Sequence, residues 1–351
     1  MKPKILFILK RKNNYNSITD SHIGMSTGLY NSASFMNDML KHSGIESNIS
    51  VVVDNNGIDR EVTIHKPTHV IIEALWVVPS KFEVLCRLHP NVKWIIRLHS
   101  EMPFLANEGI ALDWLGDYVL YENIFIAMNA KRALNEVREF IQCKTNWSNQ
   151  QVNEKIIYLP NFYPQEYKIK NFDKNKDTID IGCFGAVRPM KNHVMQALAA
   201  ITFANKINKK LRFHINSGRV EQKGEPALNN LKSIFAHLSD QGHQLINHQW
   251  CPREEFLEIC EKMDIGMQVS FSETFNIVAA DLVSQGVPIV SSSEIPWSNF
   301  LFTASPNETE EIVNSLLLTY FTPKFNISTH RYLLNRYTNK TRKIWLKYFT
   351  K

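Results

Sequence analysis

The sequence predicts an α/β protein made of two doubly wound, parallel-sheet domains of the Rossmann type. Three observations lead there. The chain has 351 residues, more than one hydrophobic core ordinarily fills. Short, almost wholly apolar runs alternate with stretches of helical spacing, the pattern of strands covered on both faces by helices. That alternation stops at a polar segment holding Pro160 and Pro164, then starts again.

KILFIL, over residues 4–9, reads as a first buried strand. GLYNSASFMNDMLKHSG follows, with Leu29, Ala33, Met36 and Leu40 at helical spacing. Ser26 or Thr27 is its candidate cap and Gly44 its stop. Further strands are expected over 49–53, 69–74, 94–98 and 156–159, and helices over 80–88 and 130–141. After the break, strands are expected over 179–184, 211–215, 246–250, 265–269 and 288–291. Helices are expected over 192–205, 227–239, 253–262, 276–285 and 308–320, with a basic final helix over 332–349. The domains are therefore 1–160 and 178–325, joined by a linker over 161–177. The terminal segment 326–351 is free to pack back on the first domain. Two such sheets would face each other across a cleft at their carboxyl ends.

Composition excludes several classes. The chain is 44% hydrophobic and 21% charged, as an ordinary globular protein is. The apolar core of MKPKILFILKRKNN is too short for a signal peptide and no small-residue cleavage site follows. The apolar run from Val70 to Val78 is interrupted by Glu73, and no run reaches the length of a membrane span. Five scattered cysteines without CxxC spacing fit reduced thiols and a cytoplasmic location. A net charge of +6 permits an anionic partner without requiring one.

Two segments carry chemistry. SFSETFNIVAADLVSQGVPIV runs from a strand through a turn into a helix expected to open near Phe275. Glu273 sits in the turn. Asp281 lies eight residues on, which two helical turns would bring to the same side. The amides of Thr274, Phe275 and Asn276 would mark the helix start, where backbone N–H groups and the helix dipole favour an anion such as a diphosphate. A carboxylate there would repel phosphate, so Glu273 suits sugar hydroxyls better. In IGCFGAVRPMKNH a strand is expected to end at Gly185, and Arg188 and Lys191 occupy the turn before a helix. Cations at a helix start oppose its dipole unless an anion sits between them.

These residues resemble a family. ETFNIVAADLVSQGVPIV is similar to the Glu-Gly-Phe-Gly-Leu-Val, second carboxylate, Gly-x-Pro-Val-Val pattern of retaining GT-B glycosyltransferases, glycosyltransferase family four and its relatives. GAVRPMKN resembles their phosphate-binding Arg and Lys, RLHSEMP their histidine motif, and YLPNFY the segment entering the linker. TGLYNSASFMNDMLKHSGIES resembles their glycine turn and first helix. The motifs occur in order along nearly the whole chain. The sequence departs from the pattern at Thr274 and Asn276, where glycines are usual, and at Asp281, where Glu is usual. The Arg–Lys gap is shorter, and Thr27-Gly28 stands for a glycine pair.

The resemblance implies transfer of a sugar, with retention, from a nucleotide diphosphate sugar, UDP-sugar favoured, without metal or cofactor. No Asp-x-Asp metal motif stands in a suitable turn. Arg188 and Lys191 would stabilise the leaving phosphate. Glu273 would bind the donor sugar and Asp281 the ribose. The base would lie near Trp250, Pro252 and Arg253 and the turn 216–219, with Gly218 in it. Gly28 would face phosphate, and His99 would border the reacting sugar through its backbone carbonyl or ring.

Blander readings stand beside these. His99 can be a satisfied core histidine, Gly28 a packing position, and Trp76, Trp94 and Trp250 core residues. Lys10, Arg11 and Lys12 form either an anionic-acceptor contact or a solvated loop, the commoner outcome. Glu101 faces the acceptor or caps the next helix.

The acceptor stays open. The compact chain resembles glycosyltransferases of large tailed bacteriophages, which implies hydroxymethylcytosine in DNA, reached by base extrusion or on an exposed strand, as one acceptor for arabinose or glucose. A cell-surface polysaccharide or lipopolysaccharide is the other. Two further classes remain: a nucleotide-sugar epimerase and a nucleotide-sugar-binding protein without transfer. The oligomeric state is not legible.

Overall fold

A computed structural model describes residues 2–11, 28–221 and 223–350. Lys12, Ser26 and Thr27 lie outside the described residues. The chain divides into two compact units. Of the described residues, unit 1 takes 2–11, 28–164 and 338–350, and unit 2 takes 165–221 and 223–337.

Unit 1 runs β1 (Lys4–Lys10), α1 (Gly28–His42), β2 (Glu46–Val52), α2 (Gly57–His65), β3 (His69–Glu73), α3 (Lys81–Leu88), β4 (Lys93–Leu98), α4 (Met102–Leu105), α5 (Ala111–Tyr118), β5 (Ile124–Met128), α6 (Lys131–Thr145), α7 (Asn149–Lys155) and β6 (Ile156–Tyr158). Its six strands are parallel in the order β2-β1-β3-β4-β5-β6. Side chains alternate across the pleat. Leu6, Ile8, Val70, Ile72, Trp94 and Ile96 bury against one helical layer. Ile5, Phe7, Leu9, Ile71 and Ile95 bury against the other, with Ala33, Met36 and Leu40 of α1. Because both faces are covered, the strands read as nearly continuous apolar runs.

Unit 2 runs β7 (Thr178–Val187), α8 (His193–Lys206), β8 (Lys210–Val220), α9 (Glu225–His237), β9 (Gln244–Asn247), α10 (Arg253–Glu261), β10 (Ile265–Gln268), α11 (Ile277–Ser284), β11 (Ile289–Ser291), α12 (Thr309–Phe321) and the first part of α13 (Pro323–Phe349). Its parallel sheet has the order β11-β10-β7-β8-β9. Chain order therefore reverses between neighbours β7 and β10, and both connections leaving this point splay apart at the strands' carboxyl ends.

Residues 161–176 form neither helix nor strand. From Thr338 onward α13 belongs to unit 1. There Trp345 stacks on Phe7, ring centroids 6.1 Å apart, and its indole N–H donates to the Pro160 carbonyl at 2.8 Å.

Several expectations need correction. β7 and β8 run past Gly185 and through the expected turn at 216–219, to Val187 and Val220. The extension survives an irregular register because Gly185 adopts φ +115° and its amide donates to Asn216 Oδ1 at 3.2 Å. β9 ends at Asn247, leaving Trp250 in a loop. α13 starts nine residues early, with Pro323 in its first turn, where proline's missing N–H costs nothing. β5, α2, α5 and α7 were not expected. Trp94 is fully buried, as its core reading requires.

His330 on α13 is fully buried, and burial pushes its pKa down to about 4. The ring bonds to the Asn326 carbonyl at 2.9 Å and Ser298 Oγ at 3.2 Å. The unfolded chain protonates this histidine near 6.5 while the fold keeps it neutral. Stability should therefore fall as pH drops from about 6.5 to about 4, by roughly 3 kcal/mol at most. Denaturant unfolding at pH 7.5 and pH 5 should show about 2 kcal/mol of that loss, and His330→Gln should lose less over the same interval. An equal loss in both proteins would rule this histidine out as the source.

Candidate functional site

The site in unit 2 follows from the reversal between β7 and β10. Both strands end in short polar loops at the same edge. After β7, Arg188 is extended, Pro189–Lys191 makes one tight 3-10 turn, and Asn192 takes φ +58° to redirect the chain into α8. Asparagine tolerates that conformation. Its amide also donates to the carbonyls of Val269 at 3.1 Å and Pro306 at 2.8 Å. After β10, the Phe271 amide donates to the Met190 carbonyl at 3.0 Å, tying the second loop to the first.

This zipping brings Lys191 Nζ onto Glu273 Oε1 in a short ion pair. The two side chains are 11% and 9% exposed. Burial lowers the Lys191 pKa, the Glu273 carboxylate opposes that, and the neighbouring Arg188 adds to it. Asn276 Nδ2 donates to the same Glu273 oxygen at 3.1 Å and to Gln268 Oε1 at 2.8 Å. Asn276 itself sits at φ +60° and caps α11, its Oδ1 accepting from the Ala279 amide at 2.9 Å. The helix thus opens at Ile277, later than expected near Phe275. Residues 273–276 are not helical, so the path to Asp281 is not two helical turns. The carboxylates take separate partners: buried Asp281 pairs with Arg253 at 2.7 Å. Thr274 and Phe275 are buried, and the Phe275 carbonyl accepts the Trp297 indole N–H at 2.8 Å.

Arg188 lies 4.0 Å from Glu221, whose other oxygen accepts Arg219 Nε at 2.6 Å. The Arg219 guanidinium stands over the Trp250 ring, 5.0 Å from its centroid. Gly218 passes so close to Trp250 that a Cβ there would lie 3.0 Å from its backbone nitrogen. Pro252 precedes α10 as its cap residue. Arg188, Lys191, Glu273 and Asn276 are thus brought into one cluster, and Gly218, Trp250 and Arg219 into another.

Unit 1 holds the remaining candidates. His99, just beyond β4, meets the fully buried Glu73 through Nε2. Arg97, also fully buried, donates to Glu73 at 2.9 Å. Of the two readings of Glu101, the cap is not found: it is the residue before α4 but makes no side-chain cap, and its carboxylate pairs with Arg132. Lys10 and Arg11 are exposed at the carboxyl end of β1, and the Arg11 amide donates to the Val52 carbonyl at 2.7 Å. Gly28 is the exposed first residue of α1. Sequence reasoning missed Glu73, Arg97, Asn129 and Asn161, although a charged residue inside an apolar strand run is a signal. It also missed Glu221, Gln268 and His193. The last is buried beside Lys191 and Arg188; burial, then those cations, push it down to about 3.

Among the described residues no group of His, Cys, Asp and Glu is placed to hold a metal ion, and no helix is long and apolar enough to cross a membrane.

Neither a protein-family model nor a curated protein sequence matches the chain. Its fold does match solved structures. Sucrose-phosphate synthase from Thermosynechococcus elongatus is similar at TM-score 0.68 and 10% identity, over 99% of this chain and 98% of that one. An E. coli trehalose-6-phosphate structure bound with UDP-2-fluoro glucose is similar at TM-score 0.67 and 12% identity, over 99% of both. A trehalose-6-phosphate synthase studied for glycosyltransfer with retention is similar at TM-score 0.60 and 15% identity, over 84% and 77%. At these identities the likeness is one of fold: the chain has the two-domain, parallel-sheet architecture of the GT-B glycosyltransferases.

Proposed function

We propose that the chain is a retaining, metal-independent glycosyltransferase that takes a sugar from a UDP-sugar and places it on an acceptor hydroxyl, in the cytoplasm. One observation carries this reading. The strand reversal between β7 and β10 sets Lys191 and Glu273 side by side, with Arg188 beside them, at the carboxyl edge where such sheets bind nucleotides. The donor that fits has an anionic diphosphate for the cations and a hydroxylated sugar for the carboxylate. Fold neighbours bound with UDP-2-fluoro glucose or studied for retention favour the same class.

Each residue then has a task. Arg188 and Lys191 take up the charge on the departing diphosphate. Glu273, held by Asn276, accepts hydrogen bonds from donor-sugar hydroxyls. Thr274 and Phe275 shape the loop between them. Asp281 and its partner Arg253 meet the ribose, and Trp250, Pro252 and Gly218 border the base. In unit 1, His99 borders the sugar and Gly28 the phosphate, while Lys10, Arg11 and Glu101 stand on the acceptor side. The acceptor oxygen bonds to the anomeric carbon on the face the diphosphate leaves. The carbon–oxygen bond to diphosphate breaks, and a leaving phosphate oxygen takes the acceptor proton. Membership of family four and phage origin belong to the same proposal. Hydroxymethylcytosine in DNA and a cell-surface polysaccharide or lipopolysaccharide are the acceptors it admits, and the likeness to a sucrose-phosphate synthase makes a sugar phosphate a third to try.

Mass spectrometry after incubating the protein with UDP-sugars and each acceptor class should find a glycosylated product. Donor converted to another sugar nucleotide without acceptor would mean an epimerase, and no turnover would mean a binding protein. Glu273→Ala should lower transfer at least a hundredfold, and wild-type turnover by that variant would defeat the site assignment. Glu273 is not a passive surface residue, so stability should respond as well. Glu273→Gln alone should cost roughly 3 kcal/mol by stranding Lys191. Glu273→Gln with Lys191→Met should cost less than the sum of the single changes, by about 2 kcal/mol in urea unfolding. Simple additivity would show that the pair is not coupled.

A further inference from the structure

Four neighbouring strands of unit 1 deliver polar side chains to one point. Glu73 is the last residue of β3, and Arg97 is its register partner on β4, so both lie on the same face. His99 is two residues further along that face. Asn129 directly follows β5, and Leu159 and Asn161 follow β6.

Arg97 is an anchor. Its Nη1 donates to both Glu73 oxygens, at 2.9 and 3.2 Å, its Nη2 to Asn161 Oδ1, and its Nε to the Leu159 carbonyl at 3.1 Å. Its guanidinium also stands 5.2 Å from the centre of the Trp345 ring. Glu73 is held equally firmly. The Trp76 indole N–H donates to its carbonyl at 3.0 Å, and the Ala74 amide donates to the Arg97 carbonyl at 2.9 Å. Ala74 takes φ +70° to do so, a left-handed conformation that alanine adopts only under constraint.

Glu73 Oε2 then meets His99 Nε2, and Asn129 Nδ2 approaches His99 Nδ1 at 3.3 Å. Among the described residues, the charges facing the ring include the Glu73 carboxylate and the Arg97 guanidinium. Burial pushes the His99 pKa down, Arg97 adds to that, and Glu73 opposes both with a net lowering. Burial raises the Glu73 pKa, but the Arg97 charge and the hydrogen bonds from His99 and Arg97 hold it below its ordinary value. A neutral imidazole facing an ionised carboxylate must carry its proton on the facing nitrogen, since a carboxylate only accepts. Nδ1 is then the acceptor, which suits the Asn129 amide. In this tautomer the 3.3 Å approach of Arg97 Nη1 to Nε2 is a contact between two donors, which the Glu73 carboxylate offsets by accepting from both, and the Arg97 charge disfavours a second proton, which would enter at Nδ1.

We propose that Glu73 is a positioning residue for His99: together with Asn129 it fixes the imidazole as the neutral tautomer protonated at Nε2. His99 is then a rigid, uncharged element of the site and no proton carrier. This rests on the reading of His99 as bordering the reacting sugar. There, an imidazolium would oppose the positive charge that develops on the sugar as its bond to the leaving group breaks.

Long-range proton–nitrogen NMR of the full chain with labelled histidine tests it without needing turnover. Wild-type His99 should show a single Nε2-protonated, uncharged tautomer at pH 7 to 8 and protonate only below the pH at which a free histidine does. Asn129→Asp, which brackets the ring with two carboxylates, should bring its pKa up by at least one unit. Glu73→Gln, which offers an amide in place of the acceptor, should mix the tautomers. It should also lower kcat tenfold or more while changing the donor KM less than threefold. Should that variant fold poorly, Glu73→Leu with Arg97→Met replaces the buried pair by apolar groups, and mixed tautomers are again expected. A wild-type His99 that is charged at pH 7 or protonated at Nδ1, or an unchanged single tautomer in the Glu73 variants, overturns the proposal. A wild-type protein with the fixed tautomer but no transfer to any acceptor would sink the proposed function alone.

Discussion

Charges at the carboxyl ends of buried parallel strands must be paired or pay a desolvation cost of several kcal/mol each. That constraint arranges the polar edge of both sheets. In unit 2 it draws the loops after β7 and β10 together, because Lys191 has Glu273 as its counter-charge and Asn276 and Gln268 orient that carboxylate in turn. In unit 1 it fixes the ends of β3, β4, β5 and β6 through Glu73, Arg97, Asn129 and Asn161. The apolar layers determine which faces of the sheets are covered. The ion pairs determine how the strand ends are held.

The apolar layers were legible in the sequence, and most of the pairing was not. Strands such as KILFIL declare themselves because burial on two faces leaves no polar residue to confuse the period. IFIAM of β5 is just as apolar and was passed over all the same, because a run of five residues does not separate strand from buried helix by period alone. The opening of α11 was misplaced because Asn276 in a left-handed conformation both ends the turn and caps the helix, a decision made by one side chain. Lys191, Arg188 and Glu273 were recognisable as residue types in the right turns. That Lys191 and Glu273 bind each other depends on β10 lying next to β7, a neighbour relation that local pattern does not contain. Glu73 and Arg97 were hidden in apolar runs, although a charge with zero exposure requires a partner.

The two pairs differ in one respect that separates their roles. Lys191 and Glu273 retain about a tenth of their side-chain surface, and Glu73 and Arg97 retain none. A partly wet ammonium can exchange one anion for another at modest cost, since water and an incoming phosphate both reach it. On the proposed function, Lys191 stands oriented by Glu273 in advance and able to turn to a diphosphate, which leaves the carboxylate for hydroxyl groups. Arg97 has no such exchange open to it: a ligand would have to replace a carboxylate, an amide and a backbone carbonyl at once. The dry pair is therefore suited to geometry and the wetter pair to the binding proposed for it, and the difference follows from how much of each pair water reaches.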